Sequence, residues 1–211
     1  MAKDKTGEKN GSRREILQAA GVVGGTLPVH KAAASGPIPA AEKPLAGMIE
    51  MHVHPMPDMT PRSANDLDLA IKAREEDMRA IMLKNHEFIT NDRAYLVKQM
   101  VPGIEVFGGL ALNEPVGGIN PVAAETFLKF SGGCAKCVWL PTHDAAHQKM
   151  VAKKGGGVRV TDHSGQVLSE VRKVMQIVAK ADVILGTGHV SPKESLAVVK
   201  AAKEEASGRS L

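Results

Sequence analysis

The chain has 211 residues, 43% of them hydrophobic and 3% aromatic, which is enough for one sizeable domain and argues against a disordered chain. Its 27 basic and 23 acidic residues give a formal net charge of +4. Six of these basic and three of these acidic residues lie within positions 1–34. The remainder is nearly neutral and carries no basic patch interleaved with aromatic residues, which argues against nucleic-acid binding.

The first 34 residues have the organisation of an export signal. A polar segment ends in Arg13 and Arg14, a modestly apolar stretch runs from Ile16 to Val29, and Ala32 to Ala34 form a small-residue cleavage site. The paired arginines resemble a twin-arginine signal. An ordinary basic terminus with a helical start is the alternative. We predict a signal peptide over residues 1–34, with the twin-arginine export machinery as a partner and a periplasmic or otherwise exported location.

After a linker rich in Pro, Ala and Gly at 35–46, strand-like and helix-like segments alternate along the chain. Alternation of this kind predicts a parallel sheet covered by helices, that is, an α/β fold. The expected strands lie within 47–54, 78–86, 105–113, 134–143 and 181–189. The expected helices cover roughly 62–77, 91–100, 120–130, 166–180 and 191–206.

Three local patterns refine this outline. The sequence from Ser191 to Glu194 is a capping box with proline at the first helical position, which marks the start of the last helix. Residues 155–168 interrupt the alternation and predict a small hairpin that turns at His163-Ser164-Gly165. Cys134 and Cys137 lie three residues apart at the start of a strand, so we expect small core residues on opposite faces rather than a redox pair or a zinc site.

Two histidines follow the first apolar run, in the stretch "IEMHVHPMPD" at residues 49–58. In a strand, positions i and i+2 point to the same side, so His52 and His54 would converge on one point. Converging imidazoles suit a divalent metal. The alternative is that the two histidines have only a structural role beside the turn at Pro55 and Pro57.

Further polar residues favour the metal. They share one property, a position at the carboxyl end of a predicted strand, and they are Lys84, His86, Asn113, His143 and His189. In a parallel α/β fold these ends lie on one face, which is where the chemistry occurs. Four different strands each deliver a histidine to this face, and we therefore predict one shared site there.

Five stretches together resemble the amidohydrolase superfamily of metal-dependent (β/α)8 barrels, and within it an uncharacterised bacterial group. The stretches are "MHVHP", "IMLKNHE", "GGLALNEPVGGINP", "VWLPTHDAAH" and "ILGTGHVSPKE", spread from about Gly47 to Ser195. The resemblance implies a TIM-barrel type of fold for residues 47–211 and a metal-dependent hydrolase with one or two divalent ions, zinc by expectation.

The resemblance also implies roles for individual residues. His52 and His54 match the metal ligands of the first strand, and His189 matches the ligand at the end of the fifth. In many members a carboxylated lysine at the end of the fourth strand bridges two metals, but that strand has no lysine at this point here. Lys84 at the end of the second strand would take that role instead or pair with a substrate carboxylate, and His86 is a ligand or a substrate contact. The catalytic candidates are Lys84 and His143, and the candidates for substrate binding are Asn113 and His147.

The expected chemistry is attack of metal-activated water on an amide, ester or lactone-like bond of a small-molecule substrate. A barrel of this type needs about 250 residues, and only about five strand–helix units are visible, so we expect a barrel truncated after the fifth unit. The alternative function is therefore a non-catalytic barrel remnant that binds a metal or ligand. Unpaired strand edges would also permit a homo-oligomer.

The export signal is testable without the rest of the chain. Residues 1–40 fused to a reporter should reach the periplasm by the twin-arginine route and be cleaved near Ala34, as measured by fractionation and N-terminal sequencing. Arg13→Lys with Arg14→Lys should stop export because the route reads the arginine pair. Unchanged export of that variant would contradict the assignment.

Overall fold

The computed structural model describes residues 43–207. Its centre is a single sheet of five parallel strands that curls into a half-barrel. The strands are β1 (Ile49–Val53), β2 (Ala80–Leu83), β3 (Glu105–Ala111), β4 (Ala135–Trp139) and β5 (Ile184–Gly186), and they lie side by side in chain order. The predicted α/β fold with a parallel sheet is confirmed, and all five strands lie inside the predicted segments.

Six helices connect the strands: α1 (Asp66–Glu75), α2 (Asn91–Met100), α3 (Pro121–Lys129), α4 (Ala146–Val151), α5 (Ser169–Lys180) and α6 (Pro192–Ser207). Five of these were predicted. The sixth, α4, was missed because it has only six residues and no side-chain cap. The predicted capping box is present, since Ser191 N donates to Glu194 Oε2 at 2.9 Å and Glu194 N donates to Ser191 Oγ at 3.2 Å.

The predicted hairpin at 155–168 is only partly formed. Asp162 N donates to Gln166 O and a single antiparallel bridge joins Thr161 to Val167, so the turn exists without flanking strands. Gly157, with a φ of +102°, lies against the first turn of α4, where a Cβ would meet the Ala146 backbone at 2.7 Å. The segment is therefore held against the rim of the sheet rather than extended from it.

The two faces of the sheet have different partners. Alternate residues such as Leu83 and Val106 pack under α1 and α2, and Leu110 and Val138 pack under α3, α5 and α6. The opposite, concave face carries a small cluster of Met82, Ala111, Cys137 and Trp139. Cys134 belongs to the helix-side core, so the two buried cysteines lie on opposite faces, as predicted.

Trp139, the only tryptophan of the chain, lies flat across the concave face. A Cβ on Gly109 of β3 would come within 2.0 Å of its ring, and a Cβ on Gly186 of β5 within 2.2 Å. Glycine inside a strand commonly marks such a close approach. Trp139 therefore lies over three neighbouring strands at once, and the two glycines make this possible.

The outer edges of the sheet are open. On β1 the side chains of Ile49 and Met51 are exposed, and on β5 Ile184 is exposed. Within residues 43–207 neither edge strand has a second neighbour. No helix among these residues combines the length and apolar character needed to cross a lipid bilayer.

The contact between Trp139 and Gly109 generates a stability prediction. Gly109→Ala should lower the free energy of unfolding by about 1–3 kcal/mol because the new methyl group overpacks the indole ring. Gly155→Ala is the matched control, since a Cβ there meets nothing within 4 Å, and it should change stability by less than about 0.5 kcal/mol. Urea unfolding followed by circular dichroism measures both; equal stabilities would contradict the packing of Trp139.

Candidate metal and catalytic site

His52 in β1 and His54, just after its end, converge as the strand alternation predicts. His52 Nε2 and His54 Nε2 lie 3.0 Å apart, and their rings make a tilted contact with centroids 5.1 Å apart. Burial, followed by the positive charge of Lys84, lowers the pKa of His52 and lowers that of His54 to about 4. Both imidazoles are therefore neutral at physiological pH, which leaves a nitrogen lone pair on each ring for a ligand.

Lys84 at the end of β2 is 1% exposed and is among the largest fully buried side chains in the described part of the chain. Its Nζ lies 3.1 Å from His52 Nε2 and 4.8 Å from the centroid of the Trp139 ring. Burial lowers the pKa of Lys84 to about 8. The amine therefore remains mostly protonated at physiological pH but loses its proton more readily than an ordinary lysine, and it lies beside His52 on the concave face.

Three more histidines extend the cluster. His86 stacks on His54 with centroids 4.5 Å apart and on His143 with centroids 3.5 Å apart. His189 lies 6.0 Å from both His86 and His143. Five of the eight histidines of the chain thus meet at the carboxyl edge of the sheet: His52 lies in β1, and the others lie in the segments that follow β1, β2, β4 and β5. The predicted convergence of these positions is present.

His189 is held in place by a tight backbone approach. Gly188 has a φ of +69°, and a Cβ there would lie 2.3 Å from the carbonyl oxygens of Leu140 and Pro141. The next amide, His189 N, donates to Pro141 O at 2.9 Å. Burial, followed by the charge of Lys84, lowers the pKa of His189. The end of β5 is therefore anchored to the end of β4.

A buried polar network fixes His86. Asn113 Nδ2 donates to His86 O at 2.8 Å and to Thr142 Oγ1 at 2.6 Å, while Asn113 Oδ1 accepts from Thr142 N at 2.8 Å. The Thr142 hydroxyl lies 2.8 Å from His86 Nδ1. Among the described contacts this hydroxyl has no other acceptor, so we assign it as the donor and His86 Nδ1 as the acceptor.

This hydrogen-bond pattern assigns the tautomer of His86. A neutral ring that accepts at Nδ1 carries its proton on Nε2. Burial and the neighbouring His143 lower the pKa of His86 to about 3, so the ring remains neutral. His86 in this form is a hydrogen-bond donor at Nε2.

The two residues predicted to bind substrate, Asn113 and His147, lie in different surroundings. Asn113 is 1% exposed and its amide is hydrogen-bonded on both sides, so it holds neighbouring strand ends together. His147 lies on α4, and among the described ring contacts none joins it to the cluster. His143, a predicted catalytic residue, is exposed at the mouth of the cluster.

The nitrogen geometry allows a metal ion with a small adjustment. Two ligand nitrogens 3.0 Å apart, each about 2.05 Å from zinc, subtend about 94° at the ion. The tetrahedral angle of about 109° requires the rings to separate by a few tenths of an ångström. Within residues 43–207, no group of three or more His, Cys, Asp or Glu side chains is already arranged around a common metal position.

The surroundings of His54 depart from the usual second shell of a metal ligand. Its Nδ1 is buried without a hydrogen-bond partner, whereas a ligand histidine usually donates its other nitrogen to an oxygen. Asp58, whose charge acts on His54, is engaged elsewhere: it pairs with Arg62 at 3.1 Å and accepts from Thr60 N at 2.8 Å. Burial alone would raise the pKa of Asp58, but these hydrogen bonds outweigh it and lower the pKa.

Sequence reasoning missed two residues of the site. Thr142 orients His86 through its hydroxyl. Trp139 lies under Lys84 and His52 and forms the floor of the site, and the ring centroids of Trp139 and His52 are 6.0 Å apart. The signal for Trp139 was present as glycines inside two neighbouring strands, which indicate a large side chain close to the backbone. A threonine beside a predicted site carries no comparable signal.

Comparison with known proteins places the chain in a family. Residues 47–210 match a protein-family model described as a family of unknown function, DUF6282. The chain belongs to this family. No curated protein and no solved structure matches it. The matched region of the DUF6282 chain begins at Gly47, two residues before β1, and includes every residue of the histidine cluster.

The neutral histidines of the DUF6282 chain generate a pH prediction. The folded-state pKa values of His54 and His86, about 4 and about 3, lie below the ordinary value of 6.5. Between pH 6.5 and 5 the unfolded chain therefore binds more protons than the folded one, and stability falls as the pH falls. The full stability contribution is present above about pH 6.5.

Urea unfolding at pH 7 and pH 5 measures this effect. The wild-type chain should lose stability between pH 7 and pH 5, and His86→Gln should reduce this loss by up to about 2 kcal/mol. That figure is the free energy of about 1.5 pH units, the difference between the unfolded-state pKa of His86 and pH 5. His163→Gln, at an exposed position on the turn after Asp162, should leave the loss unchanged. An identical pH response of all three proteins would contradict the neutral state of His86.

Proposed function

We propose that this protein is a metal-dependent hydrolase of the amidohydrolase type. The observation that carries the proposal is the convergence of five imidazoles and Lys84 at the carboxyl edge of a parallel half-barrel, with His52 Nε2 and His54 Nε2 3.0 Å apart. Side chains from four strands contribute to it, and this edge is where parallel α/β folds place their chemistry.

His52, His54 and His189 are the proposed ligands for a divalent ion, with zinc the natural candidate for neutral imidazoles. Their lowered pKa values support this role, since a ligand imidazole must be unprotonated. When bound, such an ion lowers the pKa of a coordinated water to about 7 and polarises the carbonyl of an amide, ester or lactone.

The remaining side chains supply proton chemistry and orientation. Lys84, buried and with a pKa near 8, exchanges a proton with the reacting group. If its Nζ took up carbon dioxide with release of a proton, the resulting carbamate would be a further ligand for a metal ion. His86 donates a hydrogen bond from Nε2 to a substrate oxygen. His143, stacked on His86 and open to solvent, carries protons between this pair and bulk water.

Binding of a metal or ligand without catalysis is the second candidate function. The specific observation in its favour is the engagement of Asp58 with Arg62 and Thr60, because the carboxylate whose charge reaches His54 is thereby held away from the role of general base. The two candidates predict the same metal binding and differ in turnover.

Three further proposals accompany this function. The parallel order of the strands and the curl of the sheet support a (β/α)8 plan. The open, apolar edges of β1 and β5 support association between copies of the chain. The predicted signal at 1–34 and most of the linker at 35–46 lie outside the described residues, so export remains a proposal from the sequence.

Metal binding is the first test of the proposed function. The purified chain, stripped with chelator and then titrated with zinc, should bind the ion. His52→Gln with His54→Gln should weaken zinc binding by about 100-fold or more, because two of the three proposed metal ligands are lost. His163→Gln removes an exposed imidazole and serves as the control, and circular dichroism verifies that every variant is folded.

A hydrolysis screen with nitroanilides, nitrophenyl esters and lactones then separates the two candidates. Zinc-dependent turnover that is lost in the double variant supports the hydrolase. Zinc binding that depends on His52 and His54 without turnover supports the binding function. Equal zinc affinity in the double variant and the wild-type chain would exclude both.

A further inference from the structure

The helices outside the sheet follow a regular order. Four of them contact the strand that comes after them in the chain: α1 lies against β2, α2 against β3, α3 against β4 and α5 against β5. Two elements at the ends of this order have no such partner within residues 43–207, since no strand follows α6 and no helix precedes β1. The outer layer of the half-barrel is therefore open at both edges of the sheet.

The open layer beside β1 contains a groove of about 310 Å³, the β1 groove. It lies where a helix preceding β1 would pack. Its lining comes from the segment before β1, from β1, from α1 and from the start of β2, and is mainly apolar: Leu45, Met48, Ile49, Val53, Leu69 and Met78. Met48 and Ile49 are exposed, so the groove is accessible from solvent.

Helix α6, at the opposite edge of the sheet, carries an apolar pair on its outer surface. Val198 and Ala201 on its inner side are buried in the core, whereas Leu196 is 63% exposed and Val199 57% exposed. Three strands separate β1 from β5 within one copy, so α6 cannot reach the β1 groove of its own chain. An exposed apolar helix face and an apolar groove of helical position thus lie at the two ends of the same molecule.

The charges around the apolar pair of α6 are basic. Lys200 and Lys203 share the face of this pair by their i, i+4 and i, i+7 spacing from Leu196. The acidic residues nearby point toward α5 instead, because Glu204 and Glu205 both pair with Arg172. This face of α6 therefore combines apolar and positively charged side chains.

The charged residues of the β1 groove have the complementary sign. Glu50 and Glu76 line it together with one lysine, Lys72, which leaves one negative charge in excess. Because the strands are parallel and each helix returns the chain to the start of the next strand, all helices run antiparallel to the sheet. Glu76 at the end of α1 and Lys203 in the second half of α6 therefore lie at the same level, near the amino ends of the strands.

We propose that α6 of a second copy of this chain fills the β1 groove, and that two copies close into a ring. The β5–α6 edge of each copy then lies against the β1–α1 edge of the other, with all strands parallel and a two-fold axis along them. The curl of each sheet into half a barrel closes this arrangement after two copies. The proposal rests on the association that the strand edges support, and it assigns the surfaces that meet.

The helix layer carries most of this contact. His52 N already donates to Glu50 Oε1 at 2.8 Å, so the backbone of β1 offers only part of a hydrogen-bonded ladder to a neighbouring strand. Leu196 and Val199, in contrast, lose exposed apolar surface when they enter the groove, which is the main favourable term in such an association.

Sedimentation equilibrium of the full chain tests the ring. In the presence of chelator, so that no metal ion shared by histidines links the copies, the chain should have twice its mass of 22.3 kDa. Leu196→Glu with Val199→Glu should raise the Kd of the dimer by at least about 100-fold, because both carboxylates would be buried in an apolar groove.

The matched control makes the same two substitutions on other helices. Leu96→Glu with Val122→Glu changes residues of α2 and α3 that are 62% and 71% exposed and lie away from both edges, so it should leave the Kd unchanged. Circular dichroism verifies that each variant is folded.

Mixing two variants tests which surfaces meet. Met48→Glu with Ile49→Glu alters the groove and should also dissociate the dimer. When this groove variant is mixed with the α6 variant, one of the two contacts joins unaltered surfaces. The mixture should therefore associate more tightly than either variant alone, as measured by energy transfer between differently labelled chains. Contacts of β1 with β1, or of α6 with α6, would gain nothing from mixing.

Four results would overturn the ring: a monomeric wild-type chain, assemblies larger than two copies, dissociation of the control variant, or no gain on mixing. Dimers that neither the groove variant nor the α6 variant weakens would also overturn it, while retaining an association through other surfaces. None of these measurements depends on zinc binding or turnover, so they leave the proposed hydrolase function untouched.

Discussion

The indole of Trp139 packed flat on the concave face of the sheet is the contact on which the site depends. It is possible only because Gly109 and Gly186, on the strands to either side, have no side chains. The ring forms a floor over β3, β4 and β5, and the ammonium of Lys84 lies 4.8 Å above it. An aromatic face stabilises a cation that burial would otherwise disfavour. The amine is thus held beside His52 at 3.1 Å instead of turning out to solvent.

A second constraint acts from the rim. Asn113, at the end of β3, bonds to His86 after β2 and to Thr142 after β4, so one buried amide ties the ends of three strands together. The network is fully satisfied on the amide, and buried polar networks of that kind specify one arrangement. It fixes both the ring position and the tautomer of His86. Hydrogen bonds therefore fix the site on the side of β2–β4, whereas on the side of β1 the buried His54 Nδ1 has no partner.

Much of this arrangement could be predicted from the sequence because it follows from local rules. The alternation of strand and helix gave the parallel sheet, and the i, i+2 spacing of His52 and His54 placed both rings on one side. The capping box located the start of α6. Cys134 and Cys137 were expected on opposite faces because side chains an odd number of residues apart in a strand point to opposite sides of the sheet.

The missed features depend on contacts between distant segments. Asn113 is buried where the ends of three strands meet, and no local sequence pattern records this burial. Helix α4 begins without a capping side chain and follows a turn that is stabilised by the Ala146–Val158 hydrogen bond.

The single tryptophan has a consequence for spectroscopy. Indole emission is sensitive to nearby charge, and the ring of Trp139 lies within 4.8 Å of the Lys84 ammonium and 6.0 Å from the centroid of His52. Because the chain has no other tryptophan and only one tyrosine, its ultraviolet fluorescence originates almost entirely at the floor of the histidine cluster. The protein therefore carries one intrinsic chromophore at the point where ions and protons would arrive, and it reports their arrival without a label.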